Sequence, residues 1–170
     1  MEFEELIEKR FSVREFKEDK VDKTIIEKIL KAGQVAPTAC NKQPQRIYVL
    51  ESKESLEKLK KCTSCHFNAP LAFLVCSDLN ECWKREYDDK LSGDIDASIV
   101  CTHMMLEAAN LGVGSVWVMH YIPEAVKQEF ELSDNLESCA ILVMGYPKDG
   151  TVAGPMHLNK KSLGDTVKYI

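Results

Sequence analysis

The sequence predicts an α+β fold, and three observations carry that reading. Four short apolar runs have the length and β-branched content of strands, and helical periodicity fills the stretches between them. The resulting order, ααβαβαβαβ, lacks the strict strand–helix repeat of a doubly wound sheet. A chain of 170 residues buries roughly 70% of the surface its unfolded form exposes, enough to fold without a disulfide or metal. Residues 1–170 are therefore expected to form a single domain. Its 45% hydrophobic and 29% charged residues are those of a packed chain rather than a disordered one.

Phe3, Leu6 and Ile7 share one face of a short helix over residues 3–9. Asp22 is placed to cap a second helix reaching about Val35, in which Ile25, Ile26, Ile29 and Leu30 recur at helical spacing before Pro37 stops it. A polar loop, Thr38 to Gln45, leads into the first strand, Arg46 to Glu51. Ser52 caps a helix over Lys53 to Lys61, and Leu71 to Ser77 is the second strand. A long helix starts near Asp94 and ends at Gly112, ahead of a third strand from Ser115 to Met119. Pro123 opens a helix reaching Phe130, and Cys139 to Gly145 is the last strand.

The long helix carries Ile95, Ala97, Ile99, Val100, Cys101, Met104, Met105, Leu106, Ala108, Ala109 and Leu111, which leaves little polar face. It is either the central helix of a monomer or a helix that buries one side against a second subunit, and the shortness of the chain favours the second. From Tyr146 to Ile170, Pro147, Gly150, Gly154 and Pro155 interrupt any long period. That stretch suits an arm wrapping a partner better than an ordinary helix or strand.

Acidic residues outnumber basic ones, 27 to 22, for a net charge of −5, which argues against a broad nucleic-acid-binding face. No stretch reaches the ~20 apolar residues of a membrane span, and Met1 to Lys9 lacks the apolar run of a secretion signal, so a cytoplasmic protein is expected. The seven cysteines, at 40, 62, 65, 76, 82, 101 and 139, are odd in number and scattered, as free thiols in a reducing compartment would be.

In extended chain Arg10, Ser12 and Arg14 point the same way and offer two guanidinium forks and a hydroxyl, a group suited to a phosphate monoester. The alternative is a solvated patch paired with Glu15 or Glu18. In the loop Ala36-Pro37-Thr38-Ala39-Cys40-Asn41-Lys42-Gln43-Pro44, small residues let backbone approach a ring while side-chain amides read its polar edge; the alternative is an ordinary connection rich in turn formers. Gly112-x-Gly114 follows a helix and precedes a strand, the reverse of the dinucleotide fingerprint, so Gly112 reads as a helix C-cap. Cys62-Thr63-Ser64-Cys65-His66 has the spacing of covalent haem attachment, which normally accompanies export. As a zinc site it lacks a second ligand pair, and as a redox pair it follows a helix's negative end rather than preceding a positive one.

Together these segments resemble the nitroreductase family over nearly the whole chain. Lys9-Arg10-Phe11-Ser12-Val13-Arg14-Glu15-Phe16 is similar to its opening Arg-x-Ser-x-Arg motif, and residues 36–44 to its Ala-Pro-Ser/Thr-x-x-Asn-x-Gln-Pro loop. Leu111-Gly112-Val113-Gly114-Ser115-Val116-Trp117 resembles its Leu-Gly-x-Gly-x-x-Trp turn, and Met144-Gly145-Tyr146-Pro147 with Lys160-Lys161-Ser162-Leu163 its ending. The resemblance implies a central, mainly antiparallel sheet of about four strands per chain flanked by helices. It also implies an intertwined homodimer that exchanges the arm 146–170 and binds FMN between its subunits.

By the same resemblance, Arg10, the main chain of Phe11, Ser12 and Arg14 hold the FMN phosphate and ribityl chain, with Lys160 and Lys161 completing the clamp. Pro37, Thr38, Ala39 and Asn41 approach the isoalloxazine from the other subunit, Val118 and Met119 run along it, and Gln43 is a weaker, structural candidate. The chain departs from the family at Met119 and His120, where glycine is common, at Gln45, where tryptophan is usual, and at Lys160, a point charge in place of an arginine fork. The implied activity is ping-pong: NADH or NADPH reduces the flavin, and a nitroaromatic, quinone or similar small acceptor reoxidises it. The flavin carries the chemistry and no catalytic acid or base is required. His120 is either a proton donor or a structural hydrogen-bonder. A non-enzymatic FMN-binding store or sensor is the alternative from a different class, and turnover with NAD(P)H separates the two.

Overall fold

The structure, a computed structural model, describes residues 2–170. The capping residues act where the sequence places them. Asp22 accepts the Thr24 N–H to begin α2 (Lys23–Gln34), and Ser52 accepts the Ser55 N–H to begin α3 (Lys53–Cys62). A one-turn 3₁₀ segment, Ala39–Asn41, lies in the loop before the first strand. The remaining longer helices are α1 (Phe3–Lys9), α4 (Gly93–Asn110) and α5 (Pro123–Glu129). At the end of α4, Gly112 has φ +78°. Its N–H reaches Ala109 O at 3.1 Å and that of Val113 reaches Ala108 O at 2.8 Å. These two bonds make a Schellman turn, with Gly112 one residue past the C-cap Leu111.

Four strands, β1 (Gln45–Leu50), β2 (Leu71–Asp78), β3 (Gly114–Val118) and β4 (Leu136–Gly145), form a sheet of order β1-β2-β4-β3 with every neighbour antiparallel. β4 begins three residues before the expected Cys139, because its ladder with β2 continues through a bulge at Val75/Cys76 to pair Asp78 with Leu136. Both faces of the sheet are covered. Leu71, Phe73, Val75, Leu142 and Met144 pack under α2 and α4, while Ala72, Leu74, Cys76, Ile141 and Val143 pack under α3 and α5. α2 and α4 approach closely enough that a Cβ on Gly33 would lie 2.8 Å from Met104 Cγ.

α4 is enclosed on one side. Val100, Cys101, Met104 and Ala108 are wholly buried, while the other side, from Asp94 and Ile95 through Ser98, Thr102 and Leu106 to Asn110, is exposed or half-buried. The tail has more local structure than its broken periodicity suggests: two single helical turns, α6 (Pro155–Leu158) and α7 (Leu163–Thr166), the second started by a reciprocal Ser162/Asp165 capping box. Its root is pinned, since Lys17 N–H donates to Tyr146 O at 2.8 Å and Lys148 N–H to Glu15 O at 3.1 Å. Beyond Gly150, Val152, Met156, Leu158, Leu163, Val167, Tyr169 and Ile170 are all exposed. Among the described residues no helix is long and apolar enough to cross a membrane.

Candidate functional site

The segment carrying Arg10, Ser12 and Arg14 is extended, as its alternation suggests, and is built onto the sheet. Val13 N–H donates to Ser115 O at 3.0 Å, and Ser12 bridges Ser115 in the parallel sense, so residues 11–13 run along the outer edge of β3. Val13 is buried; Ser12 and Arg14 border a cleft on the side of the tail, whereas Arg10, at the end of α1, lines a neighbouring cleft with Val13, Gly114 and Pro147. The docking depends on Gly114, because a Cβ there would sit 2.7 Å from Val13 Cγ2. Arg14 Nη1 reaches only the Ser12 carbonyl, at 3.3 Å. Among the described residues neither Arg10 nor Arg14 pairs with a carboxylate, and the partners Glu15 and Glu18 are not taken up. Arg14 is exposed, and Arg10 and Ser12 are half-buried.

The tail lies beside this segment. Gly154, Pro155, Met156 and His157 share a cleft with Phe11, Ser12 and Arg14, and the Phe11 and His157 rings meet edge to face at 6.3 Å. Lys160 and Lys161 follow on exposed chain between α6 and α7. Neither is in an ion pair among the described residues.

The loop after α2 is a strained turn. Cys40, Asn41 and Gln43 all have positive φ, 49°, 52° and 52°, a conformation that non-glycine residues hold only when their surroundings over-determine it. Thr38 Oγ1 accepts the Gln43 N–H at 3.0 Å, and Gln43 Nε2 donates to Asn41 O at 3.2 Å. Gln43 is therefore a brace within the loop. Pro37, Cys40 and Asn41 are exposed and Thr38 and Ala39 half-buried, so the turn offers small side chains and an amide on its outer side. Its downstream end is held by Asp78 N–H donating to Pro44 O at 2.8 Å and by Arg46, which pairs with Asp78 and Glu81. The hydrogen bond from Asn135 holds the Asp78 carboxyl below its usual range against a desolvation penalty, with the Asn80 N–H and Arg46 adding to the lowering. Gln45, in place of the family's tryptophan, leaves its Oε1 buried with no hydrogen-bond partner among the described residues.

Sequence reasoning passed over Asp96. Its side chain is 1% exposed in the first turns of α4 and accepts the Ala39 N–H at 2.8 Å. The only signal in the sequence is one acidic residue in an otherwise apolar helix face.

The third part of the candidate site is the end of β3. The Val118 side chain is buried with Val116 and Ile141, so only its main chain faces outward, whereas Met119 is 66% exposed and His120 is open to solvent. The His120 carbonyl accepts the Thr63 hydroxyl at 2.5 Å, which ties this end to the chain after α3. There the Cys62-to-His66 motif does structural work. Cys62 is buried at the end of α3 with its thiol on Lys58 O and its pKa pushed up by burial. His66 Nδ1 accepts the Asn68 N–H at 3.0 Å, and burial lowers its pKa. Among the described residues no three His, Cys, Asp or Glu side chains gather as a metal centre requires. All seven cysteines are free thiols.

The strand register decides which of these parts can meet. Ser12 adjoins Ser115, whose row runs through Met144 to Leu71, while the loop enters the sheet at Gln45, opposite Ser77. Ser12, one strand outside β3, and the loop at β1 are thus about 19 Å apart across four strand spacings, and about 20 Å apart along the strands. One chain therefore holds the Arg10–Arg14 segment and the 37–43 loop at diagonally opposite corners of its sheet.

A sequence profile described as the nitroreductase family matches residues 7–75 and 64–146. A protein of Archaeoglobus fulgidus that carries the provisional name NADH dehydrogenase/NAD(P)H nitroreductase is 32% identical over 151 residues, covering 85% of this chain and 84% of the relative. The FMN reductase [NAD(P)H] of Bacillus subtilis is 25% identical over 162 residues, 85% of this chain and 65% of its own. Among solved structures, a nitroreductase family protein of Clostridium difficile 630 superposes with a TM-score of 0.93 at 44% identity, covering 99% of this chain and 98% of the other. An FMN-dependent nitroreductase of Clostridium difficile R20291 gives 0.78 at 26% identity, with 96% of each chain covered. The chain belongs to the nitroreductase family.

Proposed function

We propose that the protein is an FMN-dependent NAD(P)H oxidoreductase whose two active sites lie between the subunits of a homodimer. When bound, FMN supplies two-electron exchange between a reduced nicotinamide and a small acceptor such as a nitroaromatic or a quinone. The observation that carries the reading is the pair of guanidinium groups on Arg10 and Arg14, set on neighbouring clefts either side of Phe11 beside the edge of β3 and, among the described residues, without carboxylate partners. Such forks match a phosphate monoester. In this reading Arg10, Ser12, Arg14 and the Phe11 main chain hold the phosphate and ribityl chain, and Lys160 and Lys161 add positive charge. Pro37, Thr38, Ala39 and Asn41 meet the isoalloxazine edge, while the Val118 main chain and the Met119 side chain border its face.

The diagonal separation of the two halves supports the dimer. A single flavin nucleotide does not bridge about 20 Å along and 19 Å across one sheet, whereas a second copy brings its 37–43 loop to the first copy's Arg10–Arg14 segment. The exposed apolar residues of the tail supply a surface for that contact. With seven free thiols the protein suits a reducing compartment such as the cytoplasm.

The test is a visible absorption spectrum of the purified protein, recorded before and after anaerobic addition of NADH and, separately, NADPH, followed by a nitroaromatic or quinone. A flavin spectrum that bleaches with one of the nucleotides and returns with the acceptor is the expected result. A flavin that persists under both nucleotides favours an FMN-binding store or sensor, and a protein that takes up no FMN overturns the reading.

A further inference from the structure

Asp96 joins three segments through one buried carboxyl group. Its Oδ1 accepts the main-chain N–H of Ala39 at 2.8 Å and its Oδ2 accepts the Ser92 hydroxyl at 2.6 Å. Ser92 Oγ in turn accepts the Trp83 N–H at 3.2 Å, and the Ser92 carbonyl accepts the Asp96 N–H at 2.8 Å. The carboxyl is 1% exposed, and no cation pairs with it among the described residues. Burying it carries a desolvation penalty that an apolar side chain would not.

What the carboxyl holds is the turn Ala39–Asn41. The bonds from Thr38 and Gln43 close the loop on itself and do not fix where it sits, whereas the Ala39 bond ties its centre to the rigid start of α4. A turn with positive φ at Cys40 and Asn41 relaxes unless such a tie holds it. We infer that Asp96 is a positioning residue: it sets the place and strain of the 38–43 loop and thereby the strength of its grip on the flavin ring. This rests on reading that loop as the flavin-edge contact. Asp96 itself touches no reacting atom.

The experiment compares wild type with Asp96→Ala and Asp96→Asn. It measures the FMN dissociation constant of flavin-stripped protein by fluorescence, and the Ala39 amide resonance of the same ¹⁵N-labelled protein without FMN. In Asp96→Ala the dissociation constant is expected to rise about 10- to 100-fold, with the Ala39 proton moving upfield while sheet amides such as those of Phe73 and Leu142 stay in place. Asp96→Asn keeps an acceptor for Ala39, so it should bind FMN about three- to tenfold more weakly than wild type while still moving the Ala39 proton upfield, because a neutral acceptor makes the weaker bond. If the alanine variant does not fold, the asparagine variant decides alone. An Ala39 resonance that stays put, or one that moves while FMN affinity holds within twofold, overturns the inference. Failure of wild type to bind FMN would instead sink the flavin reading, and the Ala39 resonance would still show whether Asp96 sets the loop.

Discussion

Single side chains in this protein have roles that their neighbours dictate. His66 belongs to a motif that spells haem attachment, yet its Nδ1 accepts the Asn68 N–H and so must be unprotonated. Burial, with Lys60 adding to it, lowers its pKa below the ordinary 6.5, against a smaller opposing pull from Glu57. The native chain therefore resists a proton that the unfolded chain takes. The stabilisation is whole above the unfolded value and is lost as pH falls through the lower folded one. Melting temperature should fall between ~pH 7.5 and ~pH 5.5 by a larger amount in wild type than in His66→Asn. An equal fall in both would remove His66 from the acid response. The same protein shows why cysteine spacing misleads: burial holds Cys76 and Cys101 as neutral thiols, with pKa values of about 12, which makes them core residues rather than reagents.

At the scale of elements, the most consequential contact is the docking of residues 11–13 on β3. It needs a position without a side chain opposite Val13, and Gly114 provides it. A methyl group there must displace Val13 or the Pro147 ring, 3.0 Å away. Gly114→Ala should thus cost about 1–3 kcal/mol, a melting temperature lower by about 3–10 °C for a domain of this size. Adding Val13→Ala should recover part of that loss, because the two sites share one space. Calorimetry on the single and double variants checks this, and strict additivity would mean that the clash lies elsewhere. The same variant should weaken FMN binding, since Arg10, Ser12 and Arg14 lose their platform.

For the whole molecule, the tail is the part packed least against its own chain. Its root is bonded to residues 15–17, but seven of its later apolar side chains stay in water, among them Tyr169 at 95% exposed and Leu163 at 78%. Deleting residues 151–170 should therefore turn a dimer into a monomer by sedimentation and abolish FMN retention, while the far-ultraviolet signature of the sheet persists. A truncated protein that remains dimeric and yellow would show that α4 and the loops suffice for the interface. In the intact protein, a melting temperature that rises with protein concentration is the matching sign of a stabilising dimer.

The sequence alone determined the elements, because their signals are local. Apolar spacing, Asp22 and Ser52 as caps, and glycine at 112 each act within a few residues, and the helices and strands fall within a residue or three of where those signals put them. Paired with the resemblance, it also named the stretches that bear the candidate site. Strand direction was not legible in the residues themselves, since the unbroken apolar run of β2 reads like a buried parallel strand, and only helices covering both faces of an antiparallel sheet explain it. Asp96 was hidden for a similar reason: its partner lies 57 positions away, and no local pattern distinguishes an aspartate that solvates a helix end from one that pins a distant loop. The register likewise decided that the two stretches of the candidate site stand at opposite corners of the sheet. Contacts between distant residues are set by how the elements pack, and local chemistry carries no information about them.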